Sequence, residues 1–274
     1  MPDRLPENRP STVRLRRRTP GTFVLVPDAK QGRSIRCQGQ LEAATAQILT
    51  ACPLVHDILE QPLSIHYAGC EATGTVTLLT EPPTTAQRKV QRCSYIVPDF
   101  LVTMRDGALR LIEVKPSAKL NCPKVQRKLA VARLYAERHG WSFHVVTERQ
   151  LFTGPLLANV RLLGRFRRLI VESADLEQVA SIVAERPMAL DELLRRVADQ
   201  HSGTTWKAIV LHLIATERLA IDPRLPLSGD TILYPGGTFS WDPFDSVWGP
   251  SGSSTNAPSA SSVNWRPTSS SPKT

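Results

Sequence analysis

Pro98-Asp99-Phe100-Leu101-Val102-Thr103-Met104-Arg105-Asp106-Gly107-Ala108-Leu109-Arg110-Leu111-Ile112-Glu113-Val114-Lys115 is the stretch from which the rest of the 274-residue sequence is best read. Ser94–Met104 is strand-like and apolar, Asp106-Gly107 supplies a tight hairpin turn, and Ala108–Lys115 is a second strand. Asp99 stands fourteen residues before Glu113, and Glu113 two before Lys115. A spacing of two on a strand puts Glu113 and Lys115 on one face, and the hairpin lets Asp99 converge with them. Ile112 and Val114 are expected to point into the core and hold the strand rigid. Two carboxylates offer hard oxygen ligands for Mg²⁺, which keeps several waters and bridges to phosphate oxygens. A lysine beside them orients or helps deprotonate a metal-bound water and stabilises charge on a pentavalent phosphorus. Acid–x–lysine pairs are common on exposed strands. This one sits among Leu109, Leu111, Ile112 and Val114, and a basic helix with Lys119, Lys124, Arg127 and Lys128 follows it.

Outward from the hairpin, the pattern predicts an α/β core with a mixed sheet. Leu41, Ala44, Ile48 and Ala51 recur at helical spacing until Pro53 stops the helix. Leu63–Tyr67 alternates like a half-buried strand, and Thr75–Thr80 precedes a Pro82-Pro83 turn. On the other side, Pro123 opens a helix with Val125, Leu129, Ala132 and Ala136 on one face. Gly140 ends it, and Trp141–Thr147 returns as a strand.

A second unit follows at 171–236. Ala174–Glu185, Leu190–Gln200 and Thr204–Arg218 read as short amphipathic helices, and Leu219–Asp222 and Thr231–Tyr234 as wing strands, which is a winged-helix-like outline. Residues 1–20 read as a flexible basic arm, 21–170 as the catalytic core, and the Ser- and Pro-rich 237–274 as a disordered tail.

Composition narrows the function. Hydrophobic residues make up 41% and charged residues 22%, so the chain as a whole is globular rather than disordered. No apolar run is long enough to span a bilayer, and the N-terminus has no signal-peptide core. The five cysteines form no CxxC pair, which argues against a zinc ribbon or disulfide framework and fits a reducing cytosol. The net charge of +9 falls in blocks. Residues 1–36 carry +6, 37–85 carry −5, 86–145 carry +8, 146–170 carry +4 and 171–230 carry −4. A basic middle that touches phosphates and an acidic second unit that touches something else is the expectation. Lys119, Lys124 and Lys128 are candidate DNA contacts, as are Arg161, Arg165 and Arg168, spaced i, i+4 and i+7 on one helix. The third helix of the second unit carries Lys207 and few other bases, which favours a protein partner there over the major groove. His56, His66, His139 and His144 show no metal-ligand spacing, and no Gly-rich phosphate loop is present, so the chain is not expected to bind ATP itself.

The order of these features resembles the PD-(D/E)xK nuclease superfamily, with its restriction-endonuclease-like fold, and within it the TnsA family of transposase endonuclease subunits. The resemblance runs over 35–170. It is carried by Leu41-Glu42, Glu60-Gln61-Pro62-Leu63, Pro98-Asp99-Phe100, Glu113-Val114-Lys115-Pro116, Gly140-Trp141-Ser142-Phe143, Thr147-Glu148 and Leu156-Leu157-Ala158-Asn159. It implies that Glu42, Asp99 and Glu113 are metal ligands and that Lys115 completes the catalytic set. It also implies two Mg²⁺ ions, with Mn²⁺ able to substitute. Some members have Gln where this chain has Glu113. The implied function is a Mg²⁺-dependent endonuclease subunit of a heteromeric cut-and-paste transposase, hydrolysing phosphodiesters at the 5′ ends of the transposon. The implied partners are DNA at the transposon ends, a DDE-type transposase, and an AAA+ ATPase regulator engaged by the C-terminal unit. The implied location is the bacterial cytoplasm, at the nucleoid when active, with no membrane. Alternatives are a stand-alone restriction or repair nuclease of the same fold, and a non-catalytic DNA-binding assembly factor.

Overall fold

The computed structural model describes residues 23–69, 75–90, 92–198, 205–244 and 263–264. The basic arm expected over 1–20 lies outside the described residues, as does most of the expected tail. The described chain opens with a hairpin of β1 (Val24–Asp28) and β2 (Arg33–Cys37), which turns Val26, Ile35 and Cys37 inward. Helix α1 (Gln40–Ala51) buries Ala43, Ala44, Ala46, Ile48 and Leu49. Its first-turn Glu42 reaches back past the N-cap Gly39 and accepts a hydrogen bond from the Gln38 amide at 2.7 Å.

Next come β3 (Val55–Glu60), β4 (Ile65–Gly69), β5 (Thr75–Leu78), α2 (Thr85–Val90), β6 (Arg92–Ile96), β7 (Phe100–Met104) and β8 (Leu109–Val114). Helix α3 (Pro123–Arg138) starts with proline at its first position, where a missing N–H costs nothing, and is followed by Gly140 at φ 69°. β9 (Ser142–Val146), α4 (Glu148–Phe152) and α5 (Leu156–Phe166) complete the first unit. The main sheet has the order β3-β7-β8-β9, antiparallel except for the parallel β8–β9 pair, so the core is mixed α/β as expected. Its strands are buried on both faces. Phe100, Val102, Ile112 and Val114 pack with α1, α4 and α5, while Leu101, Leu111 and Phe143 pack with α3 and a second sheet. That second sheet has the order β13-β5-β4-β6, where β13 is Val263–Asn264.

Ser94–Met104 is therefore two strands in two sheets, not one. Buried Pro98 has no N–H to give a ladder, and the Val97–Asp99 break carries the chain from β6 to β7. The second unit runs α6 (Ser173–Glu185), β10 (Met188–Ala189), α7 (Leu190–Ala198), α8 (Trp206–Ala215), β11 (Leu219–Ala220) and β12 (Ile232–Pro235), with the antiparallel sheet order β10-β12-β11. Helix α5 serves both cores: Leu156, Leu157 and Val160 belong to the first, Leu163 and Phe166 to the second. Asn159 is buried between the units and donates to the Pro223 and Leu225 carbonyls at 2.9 and 2.8 Å.

The expectation that disorder begins at residue 237 is corrected. Trp241 and Phe244 are buried in the first core, and Phe239 packs against it. Three aromatic groups in six residues are enough to dock a segment whose composition is otherwise that of a tail. Cys52 donates its thiol to the Trp241 carbonyl at 3.3 Å. Arg110 of β8 pairs with Asp242 at 2.9 Å and stacks over the Phe244 ring at 4.5 Å. Asp242→Asn, which keeps the shape and loses the charge, is expected to cost about 1 kcal/mol in chemical denaturation. A denaturation curve identical to wild type would mean that this strap is not docked in solution.

Candidate active site

Hairpin arithmetic builds the site. Phe100 pairs with Ile112 across β7 and β8, so Asp99, one residue earlier, stands across from Glu113, one residue later. Lys115 lies just past β8, its amide donating to the Val146 carbonyl at 2.9 Å and so continuing the parallel pairing with β9. Gln61 does the same at the far side. Held at φ 46°, it donates its amide to the Asp99 carbonyl at 2.9 Å and prolongs the β3–β7 ladder. A left-handed conformation at a non-glycine residue is a local strain that the surrounding pairing sustains.

The side chains meet. Lys115 Nζ is 2.7 Å from Glu113 Oε1 and 3.4 Å from Asp99 Oδ2, and it donates to the Val114 carbonyl at 3.0 Å. Asp99 Oδ2 also accepts the Val114 amide at 2.7 Å. Both carboxylate side chains are only 11% exposed, and Lys115 is 26% exposed. Ile112 and Val114 face the core as expected. Glu42 comes from α1 and lies close enough to Asp99 and Lys115 to feel both charges.

The electrostatics are those of crowded negative charge. Burial first, and the Asp99 charge second, push the Glu113 carboxyl up to about 7 against the pull of Lys115 and Lys128. Glu42 is also raised to about 7, by burial and then by Asp99, with the Gln38 amide and Lys115 opposing. Burial raises Asp99 above the ordinary range despite Lys115 and the Val114 amide. Burial pulls Lys115 down, but Asp99 and Glu113 outweigh it and leave the ammonium harder to deprotonate than a free lysine. Even the neighbouring Cys37 thiol is pushed up to about 12, by burial and then by Glu42, Glu60 and Asp99. Three carboxylates thus share one ammonium.

That donor set fits a hard divalent cation: it is all oxygen, partly buried and under-neutralised. Among the described residues no three His, Cys, Asp or Glu side chains are gathered as a ready-made chelate.

The six expected DNA contacts divide between two layers. Lys119 and Lys124 are exposed, and half-buried Lys128 of α3 bears electrostatically on Glu113. Arg161 and Arg165 lie on α5, on the opposite side of the sheet, where Arg161 also donates to Gln47 of α1 at 3.0 Å. Arg168 is not on that helix, which ends at Phe166, and the three-arginine stripe is corrected to two. Arg167 turns inward to donate to the Ala215 carbonyl at 3.0 Å, tying the turn to the second unit. The sequence offers Gln61 either a place near the site or a turn before Pro62, and its amide bond to the Asp99 carbonyl sets it beside the hairpin; Glu148, quoted only for the resemblance, accepts two hydrogen bonds from Ser117.

Residues 52–148 match the family model described as TnsA-like endonuclease N terminal. The matched segment spans β3 to the start of α4 and holds Asp99, Glu113 and Lys115, while Glu42 lies ahead of it. No curated protein matches the chain. Among the described residues no helix is long and apolar enough to cross a membrane.

Proposed function

We propose, from the match of residues 52–148 to the TnsA-like endonuclease N-terminal family model, that the chain is a nuclease of the transposase-endonuclease type and the Mg²⁺-dependent subunit that cuts the 5′ strands at the ends of a cut-and-paste element. The observation that carries the reading is the convergence of Asp99, Glu113 and Lys115, with Glu42 close by, at the mouth of one hairpin.

In this reading Asp99 and Glu113, with Glu42, hold the cation. Bound there, Mg²⁺ supplies Lewis-acid polarisation of the scissile phosphate and lowers the pKa of a bound water. The protein's residues do the rest. Lys115 stays charged because two carboxylates flank it, so it acts as a fixed positive group that stabilises the negative charge building on phosphorus. Glu42 and Glu113, both held near 7, exchange protons easily at neutral pH and shed them when a cation arrives. Lys119, Lys124 and Lys128 lie along the approach and hold the phosphate backbone, with Arg161 and Arg165 as a second group.

The second unit is read as a winged helix, on the strength of its element order and its β10-β12-β11 sheet. Its third helix, α8, buries Trp206, Ile209, Val210, Leu211, Leu213, Ile214 and Ala215, and packs against α5. Little of it is left to enter a major groove. This supports a protein partner, which the family resemblance makes the AAA+ regulator, with a DDE-type transposase cutting the 3′ strands.

The test is cleavage of a plasmid carrying the element's two ends by this protein and the partner transposase and ATPase, with Mg²⁺, with Mn²⁺, or with EDTA. Nicks at the 5′ strands in either metal and none in EDTA are expected. Cutting that persists in EDTA would contradict the metal-dependent reading, and cutting by this protein alone would favour a stand-alone nuclease.

A further inference from the structure

The segment that follows Lys115 is held from outside the catalytic set. β8 and β9 run parallel, Glu113 beside Val145 and Val114 beside Val146. The Lys115 amide continues that ladder to the Val146 carbonyl, and Pro116 then has no N–H to offer. The next donor is the Ser117 amide. Its counterpart should be a backbone carbonyl of the partner strand, but there the chain has already turned into α4 through the Thr147 capping box. The Glu148 side chain takes the vacant place. Its Oε2 accepts the Ser117 amide at 2.8 Å, and its Oε1 accepts the Ser117 hydroxyl. These two bonds hold the Glu148 carboxyl below the ordinary range, the hydroxyl contributing most.

We propose that Glu148 is a positioning residue: its carboxylate clasps Ser117 and so fixes the Lys115-Pro116-Ser117 segment, keeping the Lys115 ammonium registered between Glu113 and Asp99. The clasp lies two residues past Lys115, with a proline in between that transmits displacement instead of absorbing it. Beyond it the turn Ser117–Lys119 presents Lys119 on the side where DNA is read to lie. A lysine that drifts by about 1 Å loses on the order of 10²-fold in rate, because its charge must sit where charge develops on phosphorus. The proposal rests on the nuclease reading, and Glu148 itself touches neither the reacting atoms nor the carboxylates of the site.

The experiment compares wild type, Glu148→Ala, Glu148→Gln and Lys115→Ala in single-turnover cleavage of a plasmid carrying the element's ends, with the partner transposase and ATPase present. DNA affinity, thermal unfolding and amide hydrogen exchange over 115–119 are measured on the same proteins. Glu148→Ala is expected to cut about 10- to 100-fold more slowly, with DNA affinity within about two-fold of wild type and with faster exchange at Ser117. Glu148→Gln keeps an oxygen to accept the Ser117 amide and presents its NH2 to the Ser117 hydroxyl, which turns to accept it, so this variant is expected to recover most of the rate. Glu148→Ala cutting as fast as wild type overturns the proposal alone. Equal losses in Glu148→Ala and Glu148→Gln, together with a lowered unfolding temperature, overturn it in favour of a merely structural role. An inert wild type, or Lys115→Ala cutting normally, overturns the nuclease reading and the positioning role with it.

Discussion

Asp99→Asn is expected to slow cleavage at least about 10³-fold while leaving DNA binding as tight as wild type or tighter. The substitution is nearly isosteric, and its amide oxygen still accepts the Val114 N–H that Asp99 Oδ2 now holds at 2.7 Å. The hairpin therefore keeps its shape. What is lost is the one carboxylate that stands nearest the centre of the set, opposite Glu113, within reach of Lys115 and felt by Glu42. Removing a negative charge beside a phosphate weakens repulsion, so affinity does not fall with rate. A loss of binding in parallel with rate would assign Asp99 to DNA contact, and an unchanged rate would remove it from catalysis. Titrating end-bearing duplex into both proteins and following single-turnover cutting separates these outcomes.

The second large effect is on stability. At pH 8 without divalent cation, the double variant Glu42→Gln/Glu113→Gln is expected to be more stable than wild type by at least about 3 kcal/mol, the figure for one such shift alone. Both carboxyls are raised to about 7 from an ordinary 4.5, chiefly by burial and then by Asp99. A group raised in this way binds its proton more tightly in the folded protein than in the unfolded chain. Its contribution is intact below pH 4.5 and is lost as pH rises through about 7. The advantage of the double variant should accordingly vanish at pH 4 and be full by pH 8. His144 works in the other direction, since burial and then Arg110 lower it to about 4, and its contribution is lost as pH falls from 6.5. Because both proteins carry it, the comparison cancels it. Mg²⁺ should stabilise wild type and not the variant, closing the gap from the other side. A constant gap from pH 4 to 8, or none, would mean that the carboxylates are not crowded as described. Active sites that hold like charges together at a cost in stability are a general pattern, and here the cost is assigned to named groups.

The Asp99–Lys115 hairpin was legible because its chemistry and its geometry share one stretch of chain. Asp106-Gly107 fixes the turn, the turn fixes the register, and the register brings Asp99 opposite Glu113. Glu42 was legible only through family resemblance. An acid in the first turn of a helix is what a helix N-terminus favours in any case, and Glu42 also holds the Gln38 amide just ahead of the helix. The β6–β7 break was overlooked because the apolar run from Ser94 to Met104 continues through Pro98, although a proline inside a strand is itself the signal. Hairpin β1–β2 carried its signal in the alternation of Val24 with Val26 and of Arg33 with Ile35 and Cys37, hidden beside an arginine-rich arm. The strap at Phe239–Phe244 was masked by its tail-like surroundings, and only the core it docks on explains its three aromatic rings. The end of α5 at Phe166 follows from the turn that sends Arg167 to the Ala215 carbonyl, a tertiary contact that helical spacing does not contain.

Strand-resolved mapping of the cuts made at the element's ends by Lys115→Ala, with the partner transposase and ATPase present in Mg²⁺, tests most directly whether Glu42, Asp99, Glu113 and Lys115 form one nuclease centre. The expected result is a complex that assembles on the ends and still shows the partner's 3′ cuts, with the 5′ cuts gone. Persistence of the 5′ cuts at the wild-type rate would contradict it and place that chemistry outside this site.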